Sequence, residues 1–250
     1  MREAVIVIGA GIAGLSAAFR LQQSGFAVQV LEASDQVGGR MVTLDHRGYR
    51  IDLAVSVLPT TYGRMLALIE DAGLGDQIEA TSDLVGILRD GRVHRSRSSS
   101  KLDGVRTSLL SFGSKLVLMR AMFDAWRAGD QLSWDDLGRA APLDHESAAT
   151  YARRRLNAEL LDYVVNPACR GLFLSSPEQV SAVDLLFTLR NILGGGFFSS
   201  RTGVDFLPKG LASRLDVRLN TRVMSVHPSS DGVELVLQAA GGAQEHKSAA

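Results

Sequence analysis

One cysteine, Cys169, stands among 250 residues, so neither an intrachain disulfide framework nor a cysteine metal cluster can form. That scarcity fits a reducing compartment. Net charge is lacking too: 27 basic side chains balance 27 acidic ones. Overall charge therefore draws the chain neither to nucleic acid nor to acidic lipid. No apolar run approaches membrane-spanning length; Val5–Ile8 is short and followed by glycines. The N-terminus lacks the charged, apolar and small-residue regions of a secretory leader in series. A soluble chain with a cytoplasmic location is expected. Gly-x-Ser-x-Gly, a P-loop and a paired-carboxylate arrangement are all absent. His46, His94, His145, His227 and His246 are scattered without ligand spacing, so no metal site is expected. No catalytic residue can be assigned. Cys169, beside Pro167 and Arg170-Gly171, reads as a buried, inert thiol.

What is present is a patterned N-terminus. Val5–Ile8 is β-branched and apolar, as in a strand buried on both faces of a parallel sheet. Leu15, Ala18, Phe19 and Leu21 then fall at helical spacing up to Gly25, and Ala27–Leu31 is a second strand. This is a βαβ unit. Thr43–Asp45 and Tyr49–Leu53 predict a hairpin around His46-Arg47-Gly48, and Val85–Arg89 and Arg92–Arg95 another around Asp90-Gly91. Thr60–Ala72 is helical in period and closed by Gly73, while Arg95–Lys101 reads as an exposed loop. Helices are predicted near 109–128, 147–164 and 180–193. Ser176-Pro177-Glu178 is the expected start of the last, and Gly194-Gly195-Gly196 its end. Strands return at Val217–Leu219, Val223–Val226 and Val233–Gln238, with a turn at Ser230-Asp231-Gly232.

Within the βαβ unit, Gly9-Ala10-Gly11-Ile12-Ala13-Gly14 joins strand to helix. Gly9 permits the tight turn, Gly11 lets a phosphate approach the backbone, and Gly14 lets the helix pack on the strand. The helix start then offers amides and a positive dipole end to a pyrophosphate. Glu32, 21 residues after Gly11, ends the second strand. A carboxylate there accepts hydrogen bonds from ribose hydroxyls and repels a 2′-phosphate, which favours NAD or FAD over NADP. Gly38-Gly39-Arg40 goes beyond what an NAD unit needs. Its glycines let the backbone fold beside a ligand, and its guanidinium offers a fork of donors to phosphate or ribose.

Glu32-Ala33 through Gly38-Gly39-Arg40, after the glycine turn, resembles the FAD-binding start of flavin amine oxidases, protoporphyrinogen oxidases and phytoene desaturases. The resemblance implies FAD as cofactor, with Met41 next to the arginine among the contacts. Tyr49–Leu58 is similar to the segment that runs along the flavin, where Ala54 replaces a usual glycine and Ala54-Val55 are the implied contacts. Tyr151–Ala182 looks like the helical substrate region of the protoporphyrinogen oxidase branch. Val217–Val226 is similar to the strand whose backbone meets the adenine, with Val223 the implied contact.

The implied fold class is α/β, a Rossmann-like FAD/NAD(P)-binding domain with an inserted, mainly helical substrate domain. Residues 1–80 form the first part, 81–208 the helical domain, and 209–250 an incomplete return in which the tail strands would add to the nucleotide sheet. The family's usual second half, which completes that sheet, does not follow Ala250. Two readings of function therefore stand. One is an FAD-dependent oxidoreductase taking hydride from an amine, porphyrinogen or other hydrophobic substrate. The other is a partner-dependent FAD-binding subunit or a fragment of a longer oxidoreductase, completed by a second polypeptide. An NAD-linked dehydrogenase is disfavoured by Gly38-Gly39-Arg40. Arg153-Arg154-Arg155 reads as a solvated face, with contact to an acidic substrate the alternative. The stretch Leu109–Trp126 is apolar on more than one face, which suits core packing or a hydrophobic tunnel and leaves peripheral membrane contact open.

Overall fold

The computed structural model describes residues 4–56, 58–97, 99–191, 195–230, 232–239 and 241–249. The chain begins with β1 (Ala4–Ile8), α1 (Ile12–Gln23), β2 (Ala27–Leu31), β3 (Thr43–His46), β4 (Tyr49–Asp52), β5 (Leu58–Pro59), α2 (Gly63–Asp71) and β6 (Ile78–Ala80). Then come β7 (Leu84–Arg89), β8 (Arg92–Arg97), α3 (Lys101–Arg106), α4 (Phe112–Ala128), α5 (Ala148–Arg155), α6 (Ala158–Leu160), α7 (Asn166–Leu172) and α8 (Ala182–Asn191). The tail holds β9 (Phe197–Ser200), α9 (Phe206–Ala212), β10 (Asp216–Arg218), β11 (Thr221–Ser229), β12 (Gly232–Ala239) and β13 (Gln244–Ala249). Two compact units result: Met1–Leu58 with Gly63–Ala80 and Phe198–Ala250, and Pro59–Tyr62 with Thr81–Phe197.

In the first unit β1 and β2 pair in parallel from Ala4 opposite Ala27 to Ile8 opposite Leu31. β10 joins the far edge of β2, Val217 opposite Val30. Leu15, Ala18 and Phe19 of α1 are buried. The helix stops where the Gly25 amide bonds the Gln22 carbonyl and the Phe26 amide bonds that of Leu21, an αL-type cap. The burial expected for the first strand on both faces is not found: Ile8 is 53% exposed. β1 has no neighbour on its second edge among the described residues. The tail also differs from expectation, since only β10 extends the parallel sheet. Beyond Asn220, β11, β12 and β13 form a separate antiparallel sheet, which short turns can close without crossovers. Leu235 and Leu237 of β12 pack on Leu31 with Val223.

In the second unit the β7–β8 hairpin forms with Arg89 opposite Arg92. The loop expected at Arg95–Lys101 is largely structured: β8 continues to Arg97, and the Ser100 side chain accepts the Asp103 amide to start α3. The helix expected over 147–164 is broken. Asn157 accepts the Leu160 amide to begin a new turn, and Leu161–Val165 is a π-type segment. Ser176-Pro177-Glu178 does not start α8 either. Its carbonyl at Ser176 accepts the Gln179 and Val180 amides in an isolated turn, and the Ser181 hydroxyl caps Val183 instead. Gly194 and Asp231, which belong to the expected helix end and tail turn, lie outside the described residues.

The core of this unit joins Ala121 and Ala125 of α4, Ala148 and Ala152 of α5, Cys169, and Leu185 of α8. Small residues on α4 and α5 let the helices approach closely. The other face of α4 is open: Phe112, Leu116, Met119, Phe123 and Trp126 are all more than half exposed. The apolar stretch is thus core on one face only. No described helix is long and apolar enough to cross a membrane.

Candidate nucleotide site

The site in the first unit is made mostly of backbone. Gly9 has φ +97°, a conformation that favours glycine and turns the chain sharply from β1. Its amide bonds the Leu31 carbonyl at 2.8 Å, so the turn is anchored to β2. A Cβ on Gly14 would lie 2.0 Å from the Gly9 carbonyl oxygen, so the helix sits directly on the turn. A Cβ on Gly11 would meet nothing within 4 Å. Gly11 therefore borders open space, in an extended conformation any residue can adopt. The first helical bond runs from the Leu15 amide to Gly11, and no side chain caps the turn that starts with Ile12, Ala13 and Gly14. The leading amides of such a helix have no intrahelical partners.

Glu32 faces this turn. One carboxylate oxygen accepts the Ala10 amide at 2.7 Å. The other accepts the Ser34 amide at 2.8 Å and the Ser34 hydroxyl. Partial burial raises the carboxyl pKa, but the bonds from Ser34 and the amides of Ala10 and Ala33 outweigh it and hold the group below its ordinary value. It is a fixed anion at neutral pH, its three bonds leaving room for one hydroxyl donor.

Gly38 closes the far side. Its amide donates to Ala10 at 2.8 Å, and Met41 donates back to its carbonyl. A Cβ on Gly38 would lie 2.4 Å from the Met41 oxygen, and one on Gly39 would touch the Gly11 Cα at 3.4 Å. Two glycine segments thus lie against each other. Arg40 beside them is exposed. Met41 is buried, the Leu53 amide bonds the neighbouring Val42, Ala54 is exposed and Val55 is half-buried. Val223 sits opposite Leu237 beside a bulge at Met224. The turn before it is tied to the Glu32 loop, because the Thr221 amide bonds the Glu32 carbonyl and Asn220 bonds Ser34.

Sequence reading missed Ser34 and Asn220. The signal for Ser34 was a hydroxyl two residues after the acid, a spacing that favours local side-chain-to-backbone bonds. Asn220, at φ +53°, carried only the tolerance of asparagine for such turns. Asp52, inside the flavin-like segment Tyr49–Leu58, was missed as well. It accepts the Thr43 hydroxyl at 2.6 Å and the Val204 amide at 3.2 Å, tying β3–β4 to the segment before α9. The arginine run is not a plain solvated face: Arg153 pairs with Glu178, Arg154 with Glu146 and Arg155 with Asp124. Cys169 is fully buried, and burial pushes its thiol pKa up.

A glycine-lined space beside an uncapped helix start, next to a fixed carboxylate, fits a flavin dinucleotide. The family profile described as "Flavin containing amine oxidoreductase" matches residues 12–248. Mitochondrial protoporphyrinogen oxidase of Nicotiana tabacum is 28% identical over 71% of this chain and 34% of its own length. Phytoene dehydrogenase of Streptomyces griseus is 38% identical over 93% of this chain and 51% of its own. Cyclohexylamine oxidase from Brevibacterium oxydans superposes with a TM-score of 0.71, at 20% identity, over 98% of this chain and 56% of that one. The chain thus spans between a third and about half the length of these curated relatives.

Proposed function

The chain belongs to the flavin containing amine oxidoreductase family, and on that premise we propose that its first unit holds FAD for an oxidoreductase acting on a small hydrophobic or amine substrate. The observation that carries this reading is the Ala10 amide on the Glu32 carboxylate at 2.7 Å. It sets a fixed anion at the lip of the phosphate turn, where a ribose joined to that phosphate must lie. The amides of Ile12, Ala13 and Gly14 receive the pyrophosphate. Gly11 gives it room, and Arg40 adds charge-assisted donors. Ala33 keeps the Glu32 loop, and the Val223 backbone beside its bulge receives the adenine. Gly38, Gly39, Met41, Ala54 and Val55 line the path toward the ring. When bound, FAD supplies the acceptor for the hydride. The chain's own residues bind and orient, which agrees with the lack of an acid–base cluster in the sequence.

The second unit is the substrate domain in this reading, and the exposed apolar face of α4 supports hydrophobic substrates or a peripheral lipid contact. The matched relatives are named for porphyrinogen, polyene and amine chemistry, so the substrate class remains the broad one. A partner-dependent binding subunit is the second reading. It is weaker, because each matched relative carries its additional length in the same polypeptide. A cytoplasmic location belongs to the proposal and rests on the single buried thiol. Denaturing the purified protein should release FAD; recovery of NAD alone, under conditions that retain cofactor, would overturn the reading.

A further inference from the structure

The second unit contains a cleft that plays no part in the flavin reading. It encloses about 440 Å³, within the range of small-molecule sites. Its apolar side is Leu143, Ala182 and Leu186, and its polar side carries Arg127, Arg154 and Arg155 with Asp124 and Glu146.

The charges on the polar side do not cancel. Arg155 grips Asp124 through Nε at 3.0 Å and Nη2 at 2.7 Å, and the Tyr151 hydroxyl donates to Asp124 at 2.7 Å. Burial would raise the Asp124 carboxyl, but these donors hold it below its ordinary value, so it stays an anion with three of its lone pairs taken. Arg154 is matched by Glu146 through Nε and Nη2, which leaves its other guanidinium nitrogen without a bond. Arg127, one helical turn after Asp124 on α4, has no ion-pair partner among the described residues. Two paired anions therefore face three cations. The surplus lies at Arg127 and on the free edge of Arg154.

We propose that this cleft binds a small amphipathic carboxylate, its apolar body against Leu143, Ala182 and Leu186 and its carboxylate between Arg127 and Arg154. The Asp124–Arg155–Tyr151 cluster is the support that sets the α4 and α5 walls. Its carboxylate is already paired, so it repels a second anion less than a free one would. A neutral ligand of the same length would keep the apolar contact and lose the charged one.

The test is calorimetric titration of octanoate and of 1-octanol into the full chain loaded with FAD, at low ionic strength. Octanoate should bind about tenfold more tightly than 1-octanol. Arg127→Gln should weaken octanoate about fivefold and leave 1-octanol unchanged. Raising the salt to near 1 M should weaken octanoate alone. Arg127→Gln removes no hydrogen bond or ion pair among the described residues, so a matching melting temperature shows that its effect is on the ligand. Arg201→Gln in the first unit should leave octanoate binding as it is. Equal affinity for the two ligands, no octanoate binding at millimolar concentration, or an unchanged affinity in Arg127→Gln would each overturn the proposal. Release of NAD in place of FAD would overturn only the flavin reading.

Discussion

The two units make their sites from different material. In the first, the proposed site is amides and carbonyls of Gly9, Ala10, Gly11 and Gly38 around one fixed carboxylate, Glu32. In the second, Asp124 and Glu159 gather arginines and hydroxyls from segments 27 to 70 residues away, and Glu146 holds Arg154 eight residues on. A backbone site depends on space, so it fails when an atom is added. A side-chain site depends on charge, so it fails when an atom group is neutralised.

The sharpest way to break this contrast is at Gly14. Its Cβ would lie 2.0 Å from a backbone oxygen, so Gly14→Val should cost at least about 3 kcal/mol and abolish flavin retention. A folded variant that retains flavin, by thermal melting and absorbance, would refute the close packing. Gly11→Ala is the companion, since its Cβ enters open space. The melting temperature of the apoprotein should stay within about a degree, as for a tolerated surface change. FAD affinity should fall at least about tenfold, as one displaced charge-assisted bond requires. A parallel loss of stability and affinity would erase the distinction between the two glycines.

Glu32→Gln sharpens it further. In the proposed reading the carboxylate serves the adenosine ribose, which FMN lacks, so FAD should weaken by about 1.5–3 kcal/mol and FMN hardly at all. Titrating both flavins into apoprotein decides this, and equal losses would place Glu32 away from the ribose.

The smallest effect belongs to the second unit and to pH. Glu159 accepts the Ser111 hydroxyl and amide and pairs with Arg89. Bonds from Ser111, Ser114 and Arg89 hold its carboxyl down to about 2. Its contribution is therefore complete above the unfolded value near 4.5 and is lost as pH falls toward 2. Urea midpoints measured from pH 6 down to pH 2.5 should fall less steeply in Glu159→Gln than in the wild type. Identical slopes would show that the carboxylate is not preferentially held in the folded chain.

The same contrast explains what could be read from the sequence. Gly9, Gly11, Gly14, Glu32 and Gly38 follow local spacing within and just after a single βαβ unit, so their arrangement was legible. The hairpin at Asp90-Gly91 was legible because turn chemistry is local. The ladder of β11–β13 was assigned to the wrong sheet, because nothing in a strand's alternation says which neighbour it will choose. Ser176-Pro177 matched a helix start by residue type, yet Ser181, five residues on, took that role with no stronger signal. The break at Asn157 was hidden inside a continuous apolar period. The partners of Arg153 and Arg155 lie 25 and 31 residues away, beyond any window of periodicity.

The tie between Thr221 and Glu32 sets an order of events during synthesis. β2 and its glycine turn leave the ribosome early, but β10, which flanks β2, lies some 187 residues later, as the Gln29–Asp216 bond records. All of Thr81–Phe197 is translated in that interval. Contacts of such sequence separation carry a large loop-closure cost and form slowly. The helical unit, with shorter-range contacts, has time to fold first and hold the ends of its own segment. The Glu32 loop gains its last ties only when Asn220 and Thr221 arrive. A nascent chain stalled before residue 216 should therefore bind flavin more weakly than the full chain.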